Sequence, residues 1–239
     1  MIYYSSDNID DLFLKVSKGL IEIGETISPR GMKTLELQHV WLVLTNMQKC
    51  IVNLKSRKIN KTYLKNELKW YLSGSLKIDY IKKYSSFWEK LVDTNGTINS
   101  NYGNIAFVQK QNGKSQFEWC IDSIKKDIHT RQAIINYNQP LHKYESNKDF
   151  VCTIAQHFMV RNGKLDTTVF MRSNDLIYGL TYDAPWFCLI SKKIAKATGL
   201  ELGTYRHYAA SLHVYERHFK MLYNINNEAI IHNKPLNNP

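Results

Sequence analysis

The sequence predicts an α+β fold, and three observations carry that expectation. Two runs rich in β-branched and aromatic residues, Val151 to Val160 and Leu165 to Met171, flank Asn162-Gly163, the strongest short signal for a hairpin turn. Segments with helical spacing lie on both sides of the hairpin, the clearest being Ile9, Leu12, Phe13, Val16 and Leu20. No repeat, low-complexity tract or linker divides the 239 residues, so a single domain, residues 1–239, with a substantial core is expected.

Ser6 or Asp7 is suited to cap the first helix. Ser28 to Thr34 (SPRGMKT) is a basic, glycine-containing loop that feeds a strand from Leu35 to Thr45. Arg30 or Lys33 in that loop offers a phosphate contact, the alternative being a solvated turn. A helix from Lys61 to Leu72, ending at Ser73-Gly74, carries Glu67 near its apolar edge. Such a carboxylate is either a rim residue paired with a lysine or a buried acid with a catalytic purpose. A second helix, Ile78 to Val92, carries Phe87 and Trp88 and stops at Asn95-Gly96; Ser100 to Gly103 then turns the chain.

Gln116 to Lys126 reads as helix with Cys120 on its apolar face, Ala133 to Tyr137 as a buried strand, and Asn138 to Lys148 as a loop. Beyond the hairpin, Asp183-Ala-Pro opens a helix running to Thr198 and stopped by Gly199, with an aspartate cap and a proline in the first turn. Cys188 packs inside it. Tyr205 to His218 alternates as a strand through His213 and Tyr215 before a short helix, and His157 and His207 read as ordinary strand histidines.

The formal net charge of +11 points to an anionic substrate or partner. Scattered lysines, with no arginine tract and no zinc-finger spacing, argue against nucleic acid and give no metal site. The four cysteines, Cys50, Cys120, Cys152 and Cys188, lack CxxC spacing and suggest a reduced intracellular protein. The start of the chain is polar rather than signal-like, and the apolar runs fall short of the ~20 residues that span a bilayer. A soluble, cytoplasmic protein with no membrane partner is expected.

Within the hairpin, Cys152 opens the first strand and Arg172 closes the second, so antiparallel pairing makes them neighbours. A guanidinium beside a thiol favours the thiolate and can hold an oxyanion such as phosphate. That arrangement suits a cysteine that attacks a phosphorylated substrate.

Several segments stand in order between Arg30 and His218. They are NELKWYL (Asn66 to Leu72), Phe87-Trp88 with NGTINSNYG (Asn95 to Gly103), and TRQAIINYN (Thr130 to Asn138). VCT (Val151 to Thr153), MRSNDLIYGLTYD (Met171 to Asp183) and LHVYERH (Leu212 to His218) follow. In these segments the chain resembles the thymidylate synthase superfamily, which includes the phage deoxycytidylate hydroxymethylases. The resemblance implies a large, mostly antiparallel or mixed sheet, covered by helices and lying at a homodimer interface. It also implies transfer of a one-carbon unit from 5,10-methylenetetrahydrofolate to carbon 5 of a pyrimidine nucleoside monophosphate. Carbon 5 is too weak a nucleophile unaided; a thiolate adding at carbon 6 makes the ring an enamine or enolate and divides one hard step into easier ones.

By resemblance, Cys152 is that nucleophile, and Arg172, Arg30 and Ser173 bind phosphate, with Asn174 a further substrate contact in the same segment. Arg131 matches an arginine that reaches the phosphate site of the other subunit, and Gln132 stands where the family has a second arginine. Glu67 matches the acid–base glutamate, which works through ordered water, and Tyr102 the tyrosine near the nucleophile. His213 and Tyr215 match the pair on the sugar hydroxyl. Trp88, Asp175 and Gly179 match positions near the folate.

Asp183 stands where thymidylate synthases carry asparagine, whose amide offers both a donor and an acceptor to uracil. An ionised carboxylate only accepts, which suits the amino group of cytosine, and a protonated one also serves N3. Against uracil it leaves a buried mismatch costing roughly 1–3 kcal/mol. Leu91 replaces a second tryptophan, and IHNKPLNNP replaces an apolar tail; both favour quenching by water over hydride. The resemblance therefore implies conversion of dCMP to 5-hydroxymethyl-dCMP, in the host cytoplasm if phage-encoded. The alternatives are methylation of dCMP or dUMP, hydroxymethylation of CMP, and a non-catalytic relative that binds nucleotide or RNA.

Overall fold

A computed structural model describes residues 2–93 and 96–232 of the chain. Asn95 of the expected helix stop and residues 233–239 of the atypical C-terminus lie outside them. The residues form two compact units. Met1–Ile59, Arg172–Cys188 and Thr204–Pro239 make the first, and Asn60–Met171 with Leu189–Gly203 the second.

The first unit is built on mixed strand pairing around the strand Thr34–Leu44. Ile2–Ser6 runs parallel to it, and the strand Glu201–Tyr215 antiparallel, with Tyr205 opposite Leu44 and Tyr215 opposite Thr34. Glu25–Ile27 pairs with its start, and Asn174–Asp175 adds in parallel beside Leu212 and His213. The helix Ile9–Ile23 buries Leu12, Phe13, Val16 and Leu20, the apolar stripe read from the sequence. Its cap is Asn8 rather than Ser6 or Asp7: Asn8 Oδ1 accepts from the Asp11 amide at 2.9 Å. Ser6 is taken up as the last residue of a strand that has its own partner. The helix Phe219–His232, which lies beyond the stretch ending at His218 where a short helix was expected, packs on this helix and buries Leu222 and Ile225.

In the second unit the hairpin forms as the sequence indicated. Thr153–Arg161 pairs with Lys164–Met171 around Asn162 (φ 51°) and Gly163 (φ 73°), the two positive φ angles that a type I′ turn requires. Ile134–Asn136 extends the pairing on the other side, Ile135 opposite Gln156. The first strand begins at Thr153, two residues later than expected. The Val151 carbonyl accepts from the Asn138 side chain at 2.8 Å, Cys152 lies one residue before the first ladder pair, Thr153 with Met171, and the register then slips between Thr153 and Ala155, a bulge at Ile154.

The helices Lys61–Ser73 and Gln116–Lys126 match their expected spans, the second opened by a reciprocal Ser115–Glu118 capping box. Ile78 to Val92 is not a helix: only the short turns Ile81–Lys83 and Ser86–Lys90 form. The Ser85 hydroxyl accepts from the Phe87 amide at 3.3 Å, a local bond that competes with helical pairing. Among the described residues no helix is long and apolar enough to cross a membrane.

Gly103 follows Tyr102 where two segments nearly touch, since a Cβ there would lie 1.5 Å from the Tyr71 carbonyl oxygen. That atom is backbone and cannot swing away. Gly103→Ala is expected to destabilise the protein by about 3 kcal/mol or more, read as a lowered denaturant midpoint at unchanged slope.

Candidate active site

Among the described residues the cysteines divide by environment. Cys50, Cys120 and Cys188 are buried, while Cys152 is half-buried; no disulfide joins any of them. Burial pushes the Cys120 thiol up, and a hydrogen bond to Cys50 together with burial raises Cys188. Cys152 thus has the exposure a nucleophile needs.

Its loop is tied down on both sides. The Asp149 carboxylate accepts from the Asn99 amide at 2.8 Å and the Ser100 amide at 2.6 Å. One residue past Cys152, the Thr153 hydroxyl donates to the Tyr102 hydroxyl at 2.9 Å. Tyr102 is stacked on Tyr71 with ring centroids 5.2 Å apart. The segments 99–102 and 149–153 are therefore pinned to each other on either side of Cys152. Burial raises the Asp149 carboxyl, and the amide bonds it accepts oppose that shift. Asp149 was not singled out from the sequence, where it sits in a polar loop without a pattern of its own.

Glu67 is 4% exposed, so it is buried and not a rim residue. The Tyr63 hydroxyl donates to Glu67 Oε1, and Trp88 Nε1 donates to that hydroxyl at 3.1 Å. Trp88 is itself buried against Trp70, ring centroids 4.7 Å apart. Arg131 and Gln132 are exposed, and the Arg131 carbonyl accepts from His157 Nε2 at 3.1 Å.

In the first unit, Arg30 and Arg172 both lie within electrostatic reach of His213. Burial lowers the His213 pKa; Glu36 opposes this, and Arg172 and Arg30 add to the lowering. Arg30 is exposed at φ 52° beside Gly31, while Arg172 and Ser173 are half-buried. Lys33, the other basic residue of that loop, is instead paired with Glu216 at 2.9 Å. The Tyr215 ring meets His213 edge-on at 5.1 Å and carries the Arg217 guanidinium at 4.3 Å.

Asp183 does not cap its helix. A π-helical turn, Leu176–Leu180, precedes the helix Thr181–Thr198 and places Asp183 inside the first turn. The cap belongs to Asp175, which accepts from the Ile177 amide at 2.8 Å. Arg57, 2% exposed, holds this turn by donating twice to the Ile177 carbonyl, at 2.9 and 2.7 Å. Asn174 Nδ2 donates to Asp183 Oδ2 at 2.8 Å. Gly179 makes room for that pair, since a Cβ there would lie 2.7 Å from Asn174 Nδ2 and 3.4 Å from Asp183 Oδ2. Arg57 and the buried His207 behind Asn174 were both missed: Arg57 belongs to no motif of the sequence, and His207 reads as an ordinary strand histidine.

Burial raises Asp183 to about 7, with Asp175 adding to the shift and the Asn174 hydrogen bond opposing it. Asp175 is raised to about 6, again chiefly by burial. Carboxyls raised in the folded state hold protons that the unfolded chain releases, so their contribution to stability is complete below pH ~4 and fades as pH climbs through 6 to 7. Thermal midpoints are expected to fall between pH 5 and pH 8, and Asp183→Asn to flatten the upper part of that fall.

The fold is of the α+β class. The chain belongs to the thymidylate synthase family, whose model matches residues 11–235. It is similar to the deoxycytidylate 5-hydroxymethyltransferase of Enterobacteria phage T4, 27% identical over 91% of this chain and 90% of that one. It is also similar to the deoxyuridylate hydroxymethyltransferase of Bacillus phage SP01, 30% identical over 90% of this chain and 59% of that longer protein. Among solved structures, thermostable thymidylate synthase A from Bacillus subtilis superposes with a TM-score of 0.76 at 22% identity, covering 92% of this chain and 84% of that one. The expected α+β thymidylate synthase fold is therefore the fold of the chain.

Proposed function

We propose that this protein is a deoxycytidylate 5-hydroxymethyltransferase, a single catalytic domain acting as a cytoplasmic homodimer. The observation that carries the reading is Asp183, a carboxyl at the base-reading position that already accepts a hydrogen bond from Asn174. One carboxyl oxygen is engaged by a donor, and the other offers an acceptor to an amino group. The T4 relative, named for deoxycytidylate, supports this choice.

In this reading Cys152 adds to carbon 6 of the ring. Arg172, Arg30 and Ser173 hold the phosphate, and Arg131 reaches the phosphate site of the other subunit. His213 and Tyr215 hold the sugar hydroxyl, and Tyr102 steadies the Cys152 loop through Thr153. Glu67, oriented by Tyr63, holds and moves the proton at the exocyclic group of the base. Asp175 fits a pterin edge: its carboxyl is fixed by backbone amides, which oppose the upward push of burial and favour the accepting form, with Trp88 and Gly179 as further folate positions. When bound, 5,10-methylenetetrahydrofolate supplies the one-carbon unit.

A second reading, hydroxymethylation of dUMP, is favoured by the name of the SP01 relative. Mass spectrometry of the products from dCMP, dUMP and CMP, with the folate present, separates the readings. Hydroxymethyl-dCMP as the major product supports the proposal, and faster turnover of dUMP defeats it.

A further inference from the structure

Asp183 stands at the end of a line of hydrogen bonds whose polarity can be fixed atom by atom. Asn174 turns its Nδ2 towards Asp183 Oδ2, 2.8 Å away, so its Oδ1 faces the opposite way. There Oδ1 meets His207 Nε2 at 3.1 Å. An amide oxygen only accepts, so Nε2 carries the hydrogen. On the far side of the ring, His207 Nδ1 lies 2.8 Å from the Tyr205 hydroxyl. His207 is fully buried and burial drives its pKa down to about 3, so the ring is neutral, Nδ1 is bare, and the hydroxyl donates to it. The line thus runs Tyr205 O–H to His207, His207 N–H to Asn174, and Asn174 N–H to Asp183.

Asn174, His207 and Tyr205 are 2%, 0% and 1% exposed, so solvent does not compete for these atoms. Only one other arrangement satisfies every member. Reversed throughout, the line has His207 donating from Nδ1, Asn174 donating to Nε2, and a protonated Asp183 donating to Asn174 Oδ1. The two directions favour different forms of Asp183. In the direction observed, Asn174 donates to Oδ2 and favours the ionised carboxylate, in which both oxygens accept. The reverse direction requires the protonated acid.

We infer that Tyr205, His207 and Asn174 form a positioning relay that favours the ionised, accepting form of Asp183 and so sets the preference for a 4-amino over a 4-oxo pyrimidine nucleotide. This rests on the functional reading above, in which Asp183 faces the base. It makes His207, a residue that touches no substrate, a determinant of specificity. Gly179 belongs to the same device, since a side chain there would strike the Asn174 amide.

The test uses the full chain. Affinities for dCMP and dUMP are measured by calorimetry, and kcat/KM for both, in wild type, His207→Leu, His207→Gln and Tyr205→Phe. His207→Leu removes the donor to Asn174 and is expected to lower the dCMP-to-dUMP ratio roughly tenfold or more. His207→Gln, which keeps an N–H towards Asn174, is expected to restore most of the ratio. Tyr205→Phe, a nearly isosteric change that serves if the leucine variant fails to fold, should lower it by a smaller factor. Nitrogen-15 NMR of the wild type should show His207 as the neutral Nε2–H tautomer. A wild-type preference that survives the folded variants unchanged, or an Nδ1–H tautomer, overturns the relay alone. Equal wild-type affinity for dCMP and dUMP instead defeats the functional reading, and the discriminating role with it.

Discussion

Cys152→Ala is expected to abolish turnover, with a loss on the order of 10⁴-fold or more in kcat, while nucleotide binding is retained. The loss should be that large because no other thiol can take over: Cys50, Cys120 and Cys188 are all buried. Binding should persist because the groups assigned to phosphate and sugar, Arg30, Arg172, His213 and Tyr215, are separate side chains. Folding should persist as well, since the loop is held by Asp149 on the Asn99 and Ser100 amides and by Thr153 on Tyr102, none of which involves the sulfur. Release of tritium from carbon 5 of labelled dCMP reports the covalent step apart from product formation. Tritium release by a folded Cys152→Ala chain would remove the nucleophile assignment.

What the sequence disclosed and what it hid divide along physical lines. The hairpin was legible because Asn-Gly supplies two positive φ angles and the flanking runs are β-branched. Gln116 to Lys126 was legible because its cap and apolar face agree. Ile78 to Val92 misled because its apolar spacing suits a helix, whereas Ser85 in its middle accepts from the Phe87 amide. The residues assigned to chemistry could be placed through short motifs. Those that hold them could not: Asp149, Arg57 and His207 act through partners distant in the chain, Ser100, Ile177 and Asn174. A supporting residue of this kind leaves no local period, because its partner is set by tertiary structure.

The second large effect concerns substrate choice. Asp183→Asn is expected to lower kcat/KM for dCMP by roughly 10- to 100-fold and to raise it for dUMP, reversing the preference. The side chains are nearly isosteric, so the effect is one of hydrogen-bond polarity rather than of shape. The carboxyl presents an acceptor where cytosine has its amino group; the amide can present a donor to the 4-oxo group of uracil. Asn174 complicates the exchange, because its Nδ2 hydrogen points at the oxygen being altered. The new amide must turn its oxygen to Asn174, which leaves its NH2 facing the base, the polarity that uracil O4 requires. The same surroundings that hold the aspartate as an acceptor would thus orient an asparagine as a donor. Burial raises the Asp183 carboxyl to about 7, so part of the wild-type population is protonated at neutral pH. Residual turnover of dUMP by the wild type should therefore grow as pH falls through 7, when the carboxyl gains a proton it can donate to a 4-oxo group. In Asp183→Asn that pH dependence should vanish. Parallel pH–rate profiles with dCMP and dUMP in both proteins measure it, and a wild-type dUMP rate indifferent to pH across that range would show that Asp183 is not what reads the base.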